Sequence, residues 1–440
     1  MEELLTLQVA KPSHGPEDAS QPVELSSRTQ QLNIRARTAR RWLANLGFQW
    51  KKVRKGVYID GHERADVVAY RENEFLPKFK SIQHLLVTFD DHGNMILPEN
   101  LAPGEKPHIP IAHDESTFKS NDGKRDMWME DGKQPLRPKG QGKGIMVSDF
   151  IHPGGRLRVP DHLSDTDLEA RGLPRRFATE YLEYGKDNYW NSEKMIQQVL
   201  DVALPIFRAA FPGFIGVWIF DNSTNHGCFA PDALRAEKLN LGPGGKQPLL
   251  RNGFIHRQQI WQSMQFPSDY HDINLAGKPK GIRQILKERG LWPPEGLRLD
   301  CRLRDGKSTG CQPEGGCCAR KVLAEEQDFR EQKGQLCELL EAQGEVVLFL
   351  PKFHCELNPI EHYWCQAKWY CRENCAFTFD GLRSMVPQSL ASVKDSTILG
   401  FWNRIYRAID TYQEGIAYGT EEFKNRVYKS HRRIEDKRKW

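Results

Sequence analysis

Three acidic residues, Asp114, Asp221 and Glu361, have the side-chain type and the setting to hold metal ions. The first two end apolar segments that predict buried strands, and the third follows another such segment at the start of a predicted helix. Hard divalent cations such as Mg²⁺ prefer oxygen ligands, and two ions about 3.5–4 Å apart can stabilise both the attacking and the leaving oxygen at phosphorus. Without a metal, crowded acids raise one another's pKa values. The pattern favours a metal-dependent site, although an aspartate after a strand also commonly forms a turn.

Glu361 has a second interpretation that involves no metal. Asn358, Pro359 and Glu361 stand at the N-cap, the first position and the third position of a predicted helix. In a capping box, the glutamate turns back to its own backbone. Capping by Asn358 can coexist with metal binding, because it would orient the helix that presents Glu361.

The segments around these acids alternate between strand and helix patterns. Apolar runs predict strands within 106–117, 143–152, 214–227 and 345–351, and longer periodic patterns predict helices within 178–213 and 320–344. Such alternation is typical of an α/β fold. Three of the strands deliver an acid at or just beyond their carboxyl ends, so the sheet would position the carboxylates.

The amino-terminal region carries a candidate DNA-binding helix. Ala39, Trp42, Leu43 and Leu46 fall at helical spacing. Basic residues occupy the other face and the loop that follows, namely Arg37, Arg40, Arg41, Lys51, Lys52, Arg54 and Lys55. Such a segment suits part of a helix-turn-helix that contacts DNA phosphates, and the alternative is a solvated charged face.

Three motifs occur in an order that resembles a known family. HDEST (113–117), FDNSTNH (220–226) and LPKFHCELNPIEHYW (350–364) resemble the signature of mariner-like DDE transposases, which belong to the ribonuclease-H-like integrase superfamily. KGVYIDGHERADVVAYR (55–71) is similar to the segment that joins the DNA-binding arm to the catalytic domain in fungal relatives. Glu356 stands where the family commonly has aspartate.

The resemblance implies a fold, a function and a set of site residues. The fold would be α/β, with a ribonuclease-H-like mixed sheet flanked by helices, a large insertion before the last catalytic acid and a short helical N-terminal arm. Asp114, Asp221 and Glu361 would bind two Mg²⁺ or Mn²⁺ ions and catalyse cleavage of DNA phosphodiester bonds and 3′-hydroxyl strand transfer. Their supporting residues would be Glu115, Asn222, His226 and Asn358. The partners would be double-stranded DNA and a second copy of the chain, in the nucleus.

The domain organisation follows from the same residues. Residues 1–24 are polar and proline-containing and predict a disordered lead-in. A remnant helix-turn-helix arm and connector would occupy 25–75, the catalytic domain 106–395, and a helical basic tail 396–440. Glu361 follows Asp221 by 140 positions, whereas the family usually separates them by a few tens of residues. An insertion across about 228–320 is therefore expected, as large as a small domain.

Four cysteines of the insertion, Cys301, Cys311, Cys317 and Cys318, form a candidate zinc site. Four thiolates can hold Zn²⁺ tetrahedrally, but structural sites typically use pairs of ligands spaced two to four residues apart. This spacing fits that pattern poorly, so the alternative is reduced thiols that pack as small hydrophobic side chains.

Composition limits the classes of protein that fit. Hydrophobic residues make up 39% and charged residues 28% of the 440 positions, which favours a soluble protein without a membrane-spanning helix. The first residues do not resemble a secretory signal, so the ten cysteines are expected to be thiols or metal ligands. Two other functions remain open: a transposase-derived protein that binds DNA without cutting it, and an interaction module organised by zinc in the insertion.

Overall fold

The computed structural model describes residues 36–46, 61–90, 92–124, 126–127, 135–184, 188–301, 311 and 317–428. The chain divides into two compact units, Met1–Tyr58 and Ile59–Trp440. Several predictions lie outside the described residues: the disordered lead-in 1–24, the basic residues Lys51, Lys52, Arg54 and Lys55, and the end of the basic tail beyond 428.

The strands of the larger unit form one main sheet and two small hairpins. They are β1 (Thr88–Phe89), β2 (Met95–Ile96), β3 (His108–Lys119), β4 (Gly144–His152), β5 (Gly155–Arg156), β6 (Glu180–Glu183), β7 (Ile215–Phe220), β8 (Gly253–Ile255), β9 (Ile260–Gln262) and β10 (Val346–Phe349). The pairs β1–β2 and β8–β9 are the hairpins.

The helices are numbered separately along the chain. They are α1 (Ala36–Asn45), α2 (Ala65–Tyr70), α3 (Leu76–Gln83), α4 (Asp165–Ala170), α5 (Ser192–Gln198), α6 (Leu204–Ala210), α7 (Ile282–Glu288), α8 (Ala319–Ala324), α9 (Gln327–Arg330), α10 (Gln335–Ala342), α11 (Pro359–Glu373), α12 (Phe379–Ala391), α13 (Asp395–Gln413) and α14 (Glu421–Val427). Single π-helical turns at Arg71–Phe75 and Val199–Ala203 join α2 to α3 and α5 to α6. None of the helices in the described ranges has the length and apolarity needed to cross a membrane.

The main sheet is mixed, with the order β10-β7-β3-β4-β5, and β6 also pairs with β4. Strands β10, β7 and β3 are parallel to one another, whereas β4 is antiparallel to β3, β5 and β6. Side chains alternate between the two faces along each strand, and the side chains on both faces are apolar. Helices therefore cover both faces. The predicted fold class, an α/β fold with a mixed sheet flanked by helices, is confirmed.

Each face of the sheet has its own hydrophobic cluster. Ala112 of β3 and Ile219 of β7 belong to a cluster that includes Ile360, Tyr363 and other residues of α11 and α13. Their neighbours in sequence, such as Ile111 and Trp218, belong to a second cluster formed with α5, α6 and α10. The first face is called the α11 face below, and the second the α5 face.

Strand β3 is longer than predicted. The sequence suggested that the strand ends at the acids Asp114 and Glu115, but β3 continues to Lys119. The prediction was wrong because β4 provides hydrogen-bonding partners over the whole range from Ala112 to Lys119, and the polar residues after Asp114 can therefore remain in an extended conformation. The predicted helical segment 320–344 likewise consists of three short helices, α8 to α10.

The region of the expected insertion has a hydrophobic cluster of its own. Eleven buried residues between positions 234 and 329 form it, including Leu239, Met264, Ile285 and Leu323. Helices α7 and α8 pack together in this region, and the hairpin β8–β9 contributes Met264 next to its second strand. The segment between β7 and α10 thus buries apolar surface within itself, as a small domain would.

A buried polar network joins the loop after β10 to two other segments. Glu356 contacts Nε2 of His62 at 3.1 Å and accepts a hydrogen bond from the hydroxyl of Tyr412 at 2.6 Å. Beside them, Arg71 donates to Nε2 of His354 at 3.1 Å. The ligand atoms of His62, His354 and Glu356 lie within 4.8 Å of one another. Because Arg71 occupies the lone pair of His354, the group is a hydrogen-bonded network that connects the segment before α2 to α13, and not a set of open metal ligands.

Candidate active site

The register of the sheet places Asp114 and Asp221 at the same level on neighbouring strands. The last paired residues of β3 and β7 are Ala112 and Ile219, and two further residues along each parallel strand lead to Asp114 and Asp221. Adjacent strands are about 4.8 Å apart. Since both acids are two residues beyond a pair on the α11 face, both side chains belong to that face.

Helix α11 brings Glu361 to the same face. The helix begins at Pro359, and Ile360, Tyr363 and Trp364 are buried against the sheet, which leaves Glu361 in the first turn as an exposed residue at the margin of the packed surface. The acids interact: Glu361, Glu115 and Asp221 all raise the pKa of Asp114 by their negative charge. The structure therefore brings together the three acids that the sequence singled out.

A buried network fixes α11 onto the sheet next to the acids. Asp149 of β4, which lies directly opposite Asp114 in the β3–β4 ladder, accepts a hydrogen bond from the hydroxyl of Tyr363 at 3.1 Å. It also accepts from Nε of Arg156 at 3.0 Å and from the hydroxyl of Thr179 at 2.8 Å. A fully buried carboxylate requires such partners. Because Tyr363 is two residues from Glu361, the network restrains the turn that carries the carboxylate.

The expected capping box at the start of α11 does not form. Asn358 has the extended backbone of an N-cap residue, but its side chain makes no capping hydrogen bond. Its Oδ1 atom is buried and has no hydrogen-bond partner among the described residues. The capping prediction is wrong at the level of side chains, because the backbone N–H of Glu361, one of the donors that a cap would use, bonds the carbonyl oxygen of Asn358 at 3.3 Å instead. Glu361 is thus not used as a cap.

Burial and charge shift the pKa values of the three acids in different directions. Burial and then the charge of Glu361 raise the pKa of Asp114 well above its usual value. Although part of the Glu361 side chain is exposed, neighbouring groups that displace water from its carboxyl raise its pKa, while the charge of Lys368 opposes the shift. Burial by itself would raise the pKa of Asp221. The hydrogen bond with His226 lowers this pKa by more than burial raises it, so the net shift is downward. Asp221 therefore stays ionised more easily than its two neighbours.

His226 occupies a polar chain that crosses to the α5 face. Its Nδ1 atom contacts Oδ1 of Asp221, and its Nε2 atom lies 3.1 Å from Nδ1 of His113. Nε2 of His113 lies 2.7 Å from the hydroxyl oxygen of Ser148, and this hydroxyl donates to Oε1 of Gln198 at 2.6 Å. His113, Ser148 and Gln198 are all buried.

The hydrogen-bond donors of this chain can be assigned from its far end. The amide nitrogen of Gln198 faces two carbonyl oxygens, those of Ala178 at 2.7 Å and Ser148 at 3.3 Å, so it must donate to both. Ser148 then gives its proton to Oε1 of Gln198 and accepts from Nε2 of His113. Burial lowers the pKa of His113 and keeps the ring neutral, so its Nδ1 accepts from His226.

The same assignment requires a proton between His226 and Asp221. Since Nε2 of His226 donates to His113, its Nδ1 also needs a proton in order to bond a carboxylate. Burial lowers the pKa of His226, but the hydrogen bond to Asp221 and the charge of Glu115 raise it, and the net shift is upward. An imidazolium next to Asp221 both holds the carboxylate in place and keeps it ionised.

The other predicted supporting residues lie around the acids. Glu115 accepts a hydrogen bond from Nε1 of Trp190, and its Oε1 lies 3.8 Å from Nε2 of His226. The amide nitrogen of Asn222 donates to the carbonyl oxygen of Leu350 at 2.7 Å. This bond joins the turn after β7 to the end of β10. Both residues contact the elements that position the acids.

The donor set fits divalent metal ions. Asp114, Asp221 and Glu361 provide oxygen ligands, their mutual repulsion would be relieved by cations, and the amide oxygen of Asn358 has no partner among the described residues. Within the described ranges, some sets of three possible metal ligands have all their ligand atoms within 4.8 Å of one another. His113, Glu115 and His226 form such a set, but the three acids together do not. In these side-chain conformations, a single ion would therefore not contact all three acids at once.

The sequence analysis did not assign a role to several residues of the site. His113, Ser148 and Gln198 depend on contacts across strands and between α5 and the sheet, and Asp149 was read only as part of a strand. Lys368, two turns after Glu361 on α11, is close enough for its positive charge to lower the pKa of that acid. The helical spacing of seven residues between Glu361 and Lys368 places both on one side of α11. This spacing could have predicted from the sequence that Lys368 lies near the acids.

The remaining predicted residues lie away from the acids. Arg37, Arg40 and Arg41 are exposed on α1, which confirms a helix in that segment. Trp42, Leu43 and Leu46 on the same helix are also exposed, at 45%, 49% and 73%, so the predicted apolar face is not buried by the described residues. The sulfur atoms of Cys301, Cys311, Cys317 and Cys318 lie within 4.8 Å of one another.

Comparisons with known proteins give structural likeness only. No protein-family model matches the chain, and no curated protein does. Among solved structures, the Mos1 mariner paired-end complex with Mn has 11% identity and a TM-score of 0.44, over 89% of this chain and 73% of that chain. The Mos1 Strand Transfer Complex has 11% identity and a TM-score of 0.43, over 88% and 71%. Likeness at this level carries no argument about the activity or partners of this chain.

Proposed function

We propose that the chain is a transposase-like, metal-dependent DNA endonuclease that uses Asp114, Asp221 and Glu361. One observation carries the proposal: two neighbouring parallel strands and the helix that covers them converge on one point with three interacting carboxylates. Such crowding is costly unless cations neutralise it. The motif order, which resembles that of mariner-like DDE transposases, supports DNA as the substrate.

The residues of the chain have separate roles in this proposal. Asp114 interacts with both other acids and would contribute to holding both ions, while Asp221 and Glu361 would each complete one site. When bound, two divalent ions activate the attacking water or 3′-hydroxyl and stabilise the leaving oxygen. His226 holds Asp221 in one orientation and in its ionised state, and the Asp149 network holds the first turn of α11. Lys368 supplies positive charge beside Glu361, where a DNA phosphate would lie.

The proposal includes the partners. Double-stranded DNA would be bound in part by Arg37, Arg40 and Arg41, and the active form would be a homodimer in the nucleus. Nuclear location can be tested with a fluorescent fusion, and the dimer by light scattering in the presence of DNA.

A catalytically silent DNA-binding protein is the alternative function. Such a protein would keep the sheet and the exposed arginines of α1 but would not cut DNA. Both functions share the exposed arginines of α1, so DNA binding does not distinguish them.

Cleavage of labelled duplex DNA with Mg²⁺ or Mn²⁺ tests the proposal. The intact chain should nick or cut the duplex, and Asp221→Asn, which keeps the shape and removes the charge, should reduce the rate by about 100-fold or more, as the loss of several kcal/mol of transition-state stabilisation requires. Asp201→Asn, at an exposed aspartate of the π-helical turn after α5, is the matched control and should cut normally. DNA that is bound but not cut with either metal would favour the silent protein, and equal cutting by Asp221→Asn would contradict the role of the acids.

A further inference from the structure

The four cysteines of the inserted region are arranged like the ligands of one metal ion. Their sulfur atoms all lie within 4.8 Å of one another, although Cys301 and Cys318 are 17 positions apart in sequence. The sulfur atoms of Cys301 and Cys317 are 3.5 Å apart, and those of Cys311 and Cys318 are 4.0 Å apart. Neither pair is a disulfide, which would require about 2.05 Å.

These separations match a tetrahedral site. Zinc–sulfur bonds of about 2.3 Å in a tetrahedron place the sulfur atoms about 3.8 Å apart. The separations of 3.5 and 4.0 Å lie on either side of this value, so an ion could enter with small side-chain adjustments. Four sulfur ligands in a tetrahedron select zinc or iron, and not the hard cations that carboxylates prefer.

Burial argues against the alternative of thiols that pack as hydrophobic side chains. Cys301 and Cys318 are buried, at 5% and 1% exposure, but Cys317 is half-buried and Cys311 is exposed. Packing of small hydrophobic groups would not hold an exposed Cys311 against the other three. A shared ion would hold it there, because each thiolate gains a bond whether or not it is buried.

The backbone around three of the cysteines is held by hydrogen bonds. The N–H groups of Ala319 and Arg320 donate to the carbonyl oxygens of Arg298 and Leu299 at 2.9 and 3.1 Å. These bonds fix the segment before Cys301 against the start of α8, which follows Cys317 and Cys318 directly. Ala319 and Leu323 of α8 then belong to the hydrophobic cluster of the inserted region. The ligands are thus attached to a packed element.

An ion can reach the cysteines from solvent. An open cavity of about 260 Å³ is lined by Cys301, Cys311 and Cys318 together with Lys321. The positive charge of Lys321 would offset part of the negative charge of four thiolates around a divalent ion.

We infer that Cys301, Cys311, Cys317 and Cys318 form a structural zinc site that ties the end of the loop after α7 to the start of α8. The spacing of the ligands in sequence is unusual for such sites, but the fold brings all four sulfur atoms together. The site is separate from the acids on the α11 face and supports the inserted region whether or not the chain cleaves DNA.

Metal analysis of the full-length protein tests the inference. We expect about one zinc per chain when the protein is purified without chelators, and a loss of that zinc in both Cys311→Ser and Cys317→Ser. Cys228→Ser, in the same region but outside the cluster, is the matched control and should keep its zinc. Exchange of zinc for Co²⁺ in the unmutated chain should give the intense visible bands of a four-sulfur tetrahedral site, a result that does not depend on the folding of any variant.

Four outcomes would overturn the zinc site. These are purified protein without zinc and without the cobalt bands, zinc that remains in both serine variants, iron in place of zinc, and disulfides within the cluster by mass spectrometry under non-reducing conditions.

Discussion

Asp114 is the most buried of the three acids, and it faces negative charge from three neighbours. It is 8% exposed, and Glu361, Glu115 and Asp221 each raise its pKa. The same carboxylate is therefore a source of instability in the metal-free protein and the central ligand in the proposed complex. These two roles predict opposite effects of one substitution.

We expect Asp114→Asn to stabilise the metal-free protein and to abolish stabilisation by metal. Removal of a crowded buried charge should raise the free energy of unfolding in EDTA by about 1–2 kcal/mol. With Mn²⁺ at 100 times its dissociation constant, the unmutated chain should gain about 2.7 kcal/mol for each bound ion and the variant little or none. Denaturant unfolding with and without Mn²⁺ measures both quantities. A variant that is less stable in EDTA would show that Asp114 makes favourable structural contacts instead.

The sequence indicated the acids but not the residues that hold them. Asp114, Asp221 and Glu361 each stand beside a recognisable apolar strand or helix start. His113 and Ser148 meet only because β3 and β4 pair, and Gln198 meets them only because α5 packs on that face. Contacts of this kind depend on tertiary structure, and no local pattern encodes them.

At the scale of elements, α11 determines where Glu361 lies. The helix packs on the sheet through Ile360, Tyr363 and Trp364, and the hydroxyl of Tyr363 donates to Asp149. The sequence predicted the start of this helix correctly, at Pro359 after Asn358. It gave no information on the partner of Tyr363, because Asp149 lies 214 positions away.

We expect Tyr363→Phe to lower the free energy of unfolding by about 1.5–3 kcal/mol, since a buried carboxylate loses a hydrogen-bond donor. The maximal rate of DNA cleavage should also fall, because the first turn of α11 becomes less restrained, while DNA affinity should change little. Denaturant unfolding and nicking kinetics measure the two effects.

Tyr406→Phe is the matched control for this prediction. The hydroxyl of Tyr406 on α13 is buried and has no hydrogen-bond partner among the described residues, so its removal should be neutral or stabilising. Equal losses of stability in the two variants would show that the bond between Tyr363 and Asp149 contributes nothing specific.

Strand lengths were less predictable than strand positions. All four predicted strands of the main sheet occur. However, β3 extends five residues beyond Asp114, because it pairs there with β4, and the polar sequence of β3 alone does not predict this pairing. The helix predicted within 178–213 is also preceded by β6, which pairs with β4. Pairing is a property of two segments, and one segment alone does not reveal it.

At the scale of the whole molecule, the chain combines a smaller unit, Met1–Tyr58, with a larger unit that contains the sheet and the acids. The described helix of the smaller unit exposes Arg37, Arg40 and Arg41. The net charge of +5 is modest for 440 residues, so attraction to DNA would depend on local clusters of positive charge and not on the total.

We expect replacement of Arg37, Arg40 and Arg41 by Gln to weaken DNA binding and to reduce its dependence on salt. Each phosphate contact contributes about 0.9 to the slope of the logarithm of affinity against the logarithm of salt concentration, so loss of three contacts should reduce the slope by about 3. Fluorescence anisotropy at several salt concentrations measures it. Replacement of Arg171, Lys287 and Arg330, exposed residues of the larger unit, is the control, and an equal change there would indicate non-specific attraction.

For the inserted region, the spacing of residues along the sequence predicted one feature and missed another. Its existence followed from the long separation between Asp221 and Glu361, and its own hydrophobic cluster is consistent with that expectation. The convergence of its four cysteines did not follow from their spacing, because the fold of the region, and not a local motif, brings them together.

Direct binding of Mn²⁺ tests the central claim that Asp114, Asp221 and Glu361 hold metal ions. Electron paramagnetic resonance of free Mn²⁺ during titration gives the number of bound ions, and thiolates compete weakly for this hard cation. We expect about two Mn²⁺ per chain in the unmutated protein, as for a two-ion site, fewer in Asp221→Asn and none in Asp114→Asn. No binding by the unmutated chain, or the same number of ions in all three proteins, would contradict the claim.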